Sequence, residues 1–522
     1  MSGSDLALTR RGLLAQAALL AGAALVPASG LTQARPRLGA YPFSLGVASG
    51  EPSPDGMVLW TRLAPRPFDP DGGMPARPVR VGWTLAEDAG FRRVVRRGAV
   101  AAVPEAGHSV HVEIAGLRPG RPYWYRFEAD GEASPVGLAR TAPAPGAKVD
   151  RLRLAFGSCQ KFEAGYYAAH THMAADAPDL VLFLGDYIYE GDPGSREAVR
   201  LHPNPEPRDV GGYRVRYAAY KADPMLQAAH AAAPWMVIWD DHEVENDYRG
   251  DRDQDDGDPV AFLRRRAAAY QAYYEHMPLR RRSLPVGPAM QLYRSLDWGR
   301  LAQLQFVDDR QYRGLRPCVA AGSGRGKLVP DCDERRDPAR SLLGRRQEAW
   351  LLDTLASSKA QWNLLAQQAL FGPLELRDPN SPDRPAFSSD GWDGAPATRA
   401  RILQRWREAK VSNPVVLGGD IHAFVAGELR EQPEGPVVAS EFVGGSISSL
   451  GADARTAGLF RGLNPRIGFF EGQRRGYGLV EVTPAGAQVA FRALADARDP
   501  VSPVSDLATF TVENGRPGHQ AS

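Results

Sequence analysis

The run LVLFLG, Leu180–Gly185, constrains this chain more than any other stretch. Six residues without a polar side chain, closed by glycine, read as a buried parallel strand. Asp186, Tyr187 and Tyr189 follow directly, in GDYIYE. A carboxylate against the end of a buried strand is costly unless a cation or a partner takes its charge. Open α/β sheets bind their ligands just outside the carboxyl ends of their strands. The chemistry is therefore expected at Asp186, provided other strand ends bring matching groups. Three do: FGSC (Phe156–Cys159), VIWDDHE (Val237–Glu243) and VVLGGDIH (Val415–His422).

With 522 residues the chain has room for two or three domains. Its net charge of +2 gives no bias toward nucleic acid or an anionic membrane, and no nucleic-acid-binding module is expected. The first residues stand apart from the fold. Arg10-Arg11 in TRRGLL precede the apolar stretch LLAQAALLAGAALV and then PASGLTQA, the order of an export signal. The paired arginines resemble the twin-arginine type, so residues 1–34 are expected to be removed, after Ala28 or Ala34. The expected partner is then the twin-arginine export machinery, and the expected location periplasmic or secreted. No later apolar run is long enough to span a bilayer, so no stable membrane span is expected after cleavage.

Residues 40–145 carry short strands at the spacing of a β-sandwich, such as VRVGWTL and HSVHVEI. GLRPGRPYWYRFEA, with Leu117, Pro119, Tyr123 and Tyr125, resembles the tyrosine corner of a fibronectin-type sandwich. His108 and His111 are expected on the surface of these strands rather than as ligands. TAPAPGAKVD reads as a linker. From Arg151 strands alternate with helices, so residues 151–510 form an α/β domain. His170 and His172, two apart on one helix, are expected to face different sides. Glu190–Gly212 is a polar, proline-rich loop over the central strand end, and a hairpin is expected around Thr483. Cys318 and Cys332 flank a glycine-rich loop and could close it as a disulfide. Cys159 is left over, either as a metal-bound thiolate or as a buried inert thiol.

The strand ends together supply Cys159, Asp186, Tyr189, Asp240, Asp241, His242, Asn246, Asp420 and His422. Nearly all are metal-ligand types. The three carboxylates Asp186, Asp241 and Asp420 in one region call for cations. Two metals about 3.5–4 Å apart would neutralise them, clamp a phosphoryl group and acidify a water. A carboxylate at such an end also has a plainer reading, as the N-cap of the next helix, which suits Asp240 or Asp241. Tyr187 reads as packing.

The ordered set FGSCQ, LGDYIYE, WDDHEVEND, VDDRQYR, LLGRRQEAWL, SDGWDG, GGDIH and EFVGGSISS resembles the PhoD-type alkaline phosphatases. GDYIY also resembles the GDxxY motif of purple acid phosphatases. DDHE and GGDIH sit where calcineurin-like metallophosphoesterases carry GNHE and GHxH. The resemblance implies an αββα sandwich behind a fibronectin-like N-terminal domain. It implies a metal-dependent hydrolase of phosphomonoesters and phosphodiesters, working by attack of a metal-held hydroxide or oxide, with Fe³⁺ and Ca²⁺ as cofactors. Cys159 and Tyr189 would bind the iron, and Asp186 would bridge. Asp241, Asn246, Asp420 and His422 would complete the metal shells, with Asn246 also touching phosphate. His242 would protonate the leaving group or bind phosphate, and Arg310 in DDRQYR would stabilise phosphoryl charge. Asn464-Pro465-Arg466 departs from the Asn-Pro-His expected near the C-terminus. Activity of phospholipase D type, which occurs in similar proteins, is the alternative.

Overall fold

The structure is a computed structural model and describes residues 38–194, 198–319, 328–378 and 381–521. The expected export signal lies outside the described residues. Two large sheets face each other, one of ten strands and one of seven. The middle of the first is parallel: Leu152–Gly157, Leu180–Leu184 and Pro234–Ile238. The middle of the second is parallel too: Ala302–Phe306, Trp362–Ala366, Pro414–Gly418 and Val437–Gly444.

The strand sequences show why both faces are covered. Leu364, Ala366, Val415 and Leu417 join the core between the sheets, while Leu365 and Val416, one residue out of phase, pack with Leu351, Leu355, Ile402 and Trp406. Side chains alternate across a strand, so an unbroken apolar run buries two faces. The outer layer here is the helices Arg345–Ser357 and Pro396–Glu408. The first sheet is covered in the same way by Ala168–Ala175, Val210–Lys221 and Pro224–Ala232. Between the sheets, Phe424 meets Phe491 at 5.1 Å and Phe442 meets Phe510 at 5.8 Å. Layer order is thus helix, sheet, sheet, helix, as expected. Asp209, Asp223 and Asp258 each accept backbone N–H groups at a helix start.

The N-terminal segment is β-rich, and its tyrosine corner is present: the Tyr123 hydroxyl donates to the Arg118 carbonyl at 3.3 Å. One half of it forms a sheet of its own around Val79–Ala86 and Pro122–Ala129. The other half does not stand apart. Val47–Ser53 pairs in parallel with Pro234–Ile238 and continues into Gly56–Arg62 and Ser109–Ile114, so these strands are one flank of the ten-stranded sheet. The C-terminal strands Gly476–Val482, Gly486–Leu494 and Val504–Glu513 form the other flank, with the expected hairpin at Thr483.

Two histidine expectations need correction. His108 is buried, its ring nitrogens 3.2 Å from the Ala102 carbonyl and 3.1 Å from that of Pro75. His111 stacks on Tyr274 at 4.5 Å and reaches the Met277 carbonyl at 2.9 Å. Both join the N-terminal strands to neighbouring segments. His170 and His172 do face different sides, toward Gln160 and the Ser502 carbonyl. Cys318 and Cys332 are bonded as a disulfide, and Cys159 is free and buried.

Candidate metal centre

The seven central parallel strands point the same edge at one place, and the loops leaving that edge supply the site. From the ten-stranded sheet come Cys159, Asp186 with Tyr189, and Asp240 to Asn246; from the seven-stranded sheet come Arg310, Asp420 with His422, and Ser446 to Ser449. The loops cross-link beyond the strands: the Cys159 and Gln160 amides donate to the Gly185 and Asp186 carbonyls at 3.1 Å each. Four of the site residues hold left-handed backbone, Cys159 at φ 58°, Asp186 at 55°, Asp420 at 63° and His422 at 52°. Such conformations cost about 1–3 kcal/mol each outside glycine and persist only where the surroundings enforce them.

Cys159, Asp186 and His422 place a sulfur, a carboxylate oxygen and a ring nitrogen within 4.8 Å of one another. The Tyr189 hydroxyl donates to Asp186 Oδ2 at 2.8 Å and lies 3.1 Å from His422 Nε2 and 2.8 Å from Ser449 Oγ. A second triad, Asp186, Asp241 and His242, shares Asp186 within the same distance. Asp186 therefore stands between two donor groups. Its Oδ1 atom is buried without a hydrogen-bond partner.

Electrostatics describe a site short of positive charge. Burial, and next the charge of Asp186, push the Cys159 thiol well up. Burial, Asp186 and Cys159 do the same to the Tyr189 phenol. Burial pushes the Asp186 carboxyl well up; His242 opposes this, and Asp241, Glu243 and Asp420 add to it. Three acids that suppress one another's ionisation are ionised together when a cation is bound among them. His422 is held neutral, its pKa pulled to about 4 chiefly by burial. Its Nδ1 lies 2.6 Å from the Leu450 carbonyl, which leaves Nε2 turned to the cluster.

Beside the cluster runs a cleft of about 270 Å³ lined by Lys161, Glu163, Tyr189, His242, His422 and Arg498 among others. It joins a second space of about 260 Å³ that Glu190, Asn246 and Gln254 also line. His242 lies between the two. Its Nδ1 is 2.6 Å from Glu190 Oε2, while Glu190 Oε1 accepts the Asn246 amide at 2.7 Å. Burial opposes the His242 charge, but Glu190, Asp186 and Asp241 outweigh it and raise its pKa well above the ordinary value. The Asn246 side-chain nitrogen donates to Gln254 at 3.0 Å.

Residues 154–491 match the PhoD-like phosphatase family, and residues 29–143 match that family's N-terminal domain. The chain belongs to the PhoD-like phosphatase family. It is 46% identical to alkaline phosphatase D of Bacillus subtilis (strain 168) over 496 residues, 93% of this chain and 83% of that protein. It is also similar to a solved structure of PhoD, with a TM-score of 0.87, 46% identity and 93% of each chain covered. The chain is accordingly a hydrolase of phosphoric esters.

Most of the residues read from the phosphatase motifs converge here: Cys159, Asp186, Tyr189, Asp241, His242, Asn246, Asp420 and His422. Arg310 does not reach the cleft. Its side chain is fully buried, ion-paired to Asp240, 2.7 Å from Asp390 and 3.5 Å from Asp241. The guanidinium ties the acidic loops of Asp240, Asp241 and Asp390 together, while its Nη2 atom is buried without a hydrogen-bond partner. Asp240, which also read as a helix cap, is that pair's other half. Arg466 lines a different pocket, with Gly427 and Glu441.

Sequence reasoning passed over Glu243, although it stands in the DDHE motif. Its carboxylate accepts the amides of Asp186 at 3.1 Å, Tyr187 at 2.7 Å and Asp240 at 2.8 Å, fastening two strand-end loops to each other. It also passed over Arg216, whose buried guanidinium donates to the carbonyls of Tyr189, Gly191, Asn204 and Pro205 and so ties down the loop that begins at Glu190. Both are single charged residues whose partners, apart from Asp240, lie at least eleven positions away in the chain. Only the fold brings their three and four acceptors or donors together.

Proposed function

We propose that this phosphatase is an exported enzyme holding Fe³⁺ and Ca²⁺, active on phosphomonoesters and phosphodiesters. The observation that carries the metal assignment is the buried cluster of one thiol, one phenol, one shared carboxylate and one neutral imidazole. Thiolate and phenolate donors suit a strongly Lewis-acidic ferric ion, so Cys159, Tyr189, Asp186 and His422 are its ligands. The oxygen donors Asp186, Asp241, Asn246 and Asp420 suit calcium. The bound ions supply charge for the phosphoryl oxygens and acidify a water. The chain's own residues do the rest. His242, oriented by Glu190 and favoured in its charged form, gives a proton to the leaving oxygen. Asn246, fixed through its backbone by Glu190, places its side-chain amide on the wall of the second space.

The TRRGLL motif supports export by the twin-arginine route, and a disulfide suits an oxidising compartment. Substitution of Arg10 and Arg11 by lysine should retain the protein in the cytoplasm.

Elemental analysis of the native exported protein tests the metal assignment. Iron and calcium are expected, and full activity without iron refutes it. A phenolate-to-iron band in the visible spectrum is expected to vanish in Tyr189→Phe while the far-ultraviolet circular dichroism is unchanged. Hydrolysis of p-nitrophenyl phosphate, its bis-ester and phosphatidylcholine separates the substrate classes. Activity on the lipid alone would favour the phospholipase D reading.

A further inference from the structure

Arg310 is buried among carboxylates and does not line the cleft, whose cationic side chains besides His242 come from elsewhere in the chain. These are Lys161, two residues after Cys159, and Arg498, from the loop between Gly486–Leu494 and Val504–Glu513. Lys161 Nζ sits 5.9 Å from the centre of the Tyr189 ring, next to the cluster yet outside its ligand shell. Among the described residues neither side chain is ion-paired to a carboxylate.

Their placement is built. The Lys161 amide donates to Ser449 Oγ at 3.1 Å, and its carbonyl accepts from Ser448 Oγ at 2.9 Å. The Arg498 loop is knit by its own turns, the Arg498 amide on Asp496 Oδ1 at 2.8 Å and the Asp496 amide on Ser502 Oγ at 3.0 Å. It is then docked on the Lys161 segment, where the Tyr166 amide donates to the Ala497 carbonyl at 2.8 Å. Gly165 makes that approach possible, because a Cβ there would lie 2.8 Å from the same carbonyl oxygen. The carboxylate in this part of the cleft, Glu163, has partners of its own: Oε1 accepts the Gly194 amide at 3.2 Å and Oε2 lies 3.7 Å from His202 Nδ1.

We infer that Lys161 and Arg498 form a second anion subsite, which binds a negatively charged group carried by the substrate beyond the phosphoryl group that reacts. The inference rests on the phosphoesterase reading above and narrows it. Substrates that bear a further phosphate or carboxylate a few bonds from the scissile ester are preferred over those that bear none. The discrimination resides in substrate binding, because neither cation touches the reacting atoms.

The test compares propyl phosphate with propane-1,3-diyl bisphosphate on the metal-loaded enzyme, by phosphate release. The bisphosphate should have the higher kcat/KM by roughly tenfold, beyond the factor of two for its two equivalent ends, with the difference in KM; one well-placed ionic contact is worth about that much. Lys161→Met with Arg498→Met should bring the ratio down to the statistical factor, and Lys161→Arg should retain it. Lys359→Met, an equal loss of charge at an exposed position near the opposite strand ends, should leave the ratio as it is. No preference in the wild type, or a preference that survives the double substitution, overturns the inference. If neither ester is hydrolysed, the phosphoesterase reading fails instead. Calorimetric titration with the bisphosphate then decides the subsite: binding weakened roughly tenfold in the double variant supports it, and equal binding overturns it.

Discussion

Glu243 is the residue on which removal of one side chain tells most about how the site is held. Its two oxygens accept three buried backbone amides, two from the Asp186 loop and one from Asp240. Asp186 sits at φ 55°, a conformation that must be enforced from outside. In Glu243→Ala all three amides lose their acceptor, at about 1–3 kcal/mol for each buried donor left unpaired. Part of this is returned, because burial already disfavours the carboxylate, lifting its pKa to about 7 against the opposing pull of those amides. A net loss of about 4 kcal/mol is expected. Glu243→Gln keeps an oxygen for two of the amides and turns an NH₂ group against the third, so about 2 kcal/mol is expected. Urea unfolding of the metal-free variants at pH 8 measures both. Metal affinity should fall as well, by about 10–100-fold, the usual effect of loosening a group that orients a ligand. Spectroscopic metal titration reads it. Stability and metal affinity both unchanged in Glu243→Ala would refute the clamp.

Three further outcomes are expected. A Cβ on Gly478 would fall inside the Phe156 ring, three residues before Cys159, so Gly478→Ala should cost at least about 1–3 kcal/mol in urea unfolding and lower activity with it. The disulfide closes a separation of 14 residues, for which about 3 kcal/mol is expected; reductant should lower the melting temperature of the wild type and leave that of Cys318→Ser with Cys332→Ser unmoved. Burial lifts the Glu441 carboxyl to about 7, against the Phe371 and Gly372 amides, which lower it. Folding therefore takes up a proton between the ordinary carboxyl pKa and about 7, and stability falls as pH rises through that window, by at most about 3 kcal/mol. Glu441→Gln should remove this slope, seen as a stability difference from wild type that shifts in the variant's favour between pH 4.5 and 7.5; a constant difference would refute it.

The parts of this protein legible in its sequence are those where one short segment carries its own meaning. The apolar runs at Leu180 and Val415 announce two-faced strands, and residues placed just past such runs must lie at the same edge. That rule alone located Cys159, Asp186, His242 and Asp420. It could not say that the edge belongs to two sheets, since Phe424 and Phe491 reveal their contact only once both sheets exist. Arg310 shows the limit most clearly. Its place after a strand matches that of a phosphate-binding arginine, but its pairing with Asp240 and Asp390, 70 and 80 positions away in the chain, is visible only in the fold. Lys161 stood beside a recognised ligand and drew no notice, because an isolated lysine looks the same in sequence wherever it points. His108 and His111 were misread for a related reason: a histidine among short strands looks exposed in sequence, and the carbonyls of Pro75 and Met277 that cover these two come from distant parts of the chain.

The ten-stranded sheet is assembled from the two extremities of the described chain, with its three central parallel strands in between. On the ribosome those central strands emerge with one neighbour made and the other missing. Gly478 to Val482, which hydrogen-bond to the Leu152–Phe156 side, are synthesised some three hundred residues later. The sheet that carries Cys159 and Asp186 therefore cannot be completed while the chain is still being made. A nascent chain halted before Gly476 would present a bare strand edge, a template for aggregation. Completion of the sheet that carries the candidate metal centre therefore waits for a segment made near the end of synthesis.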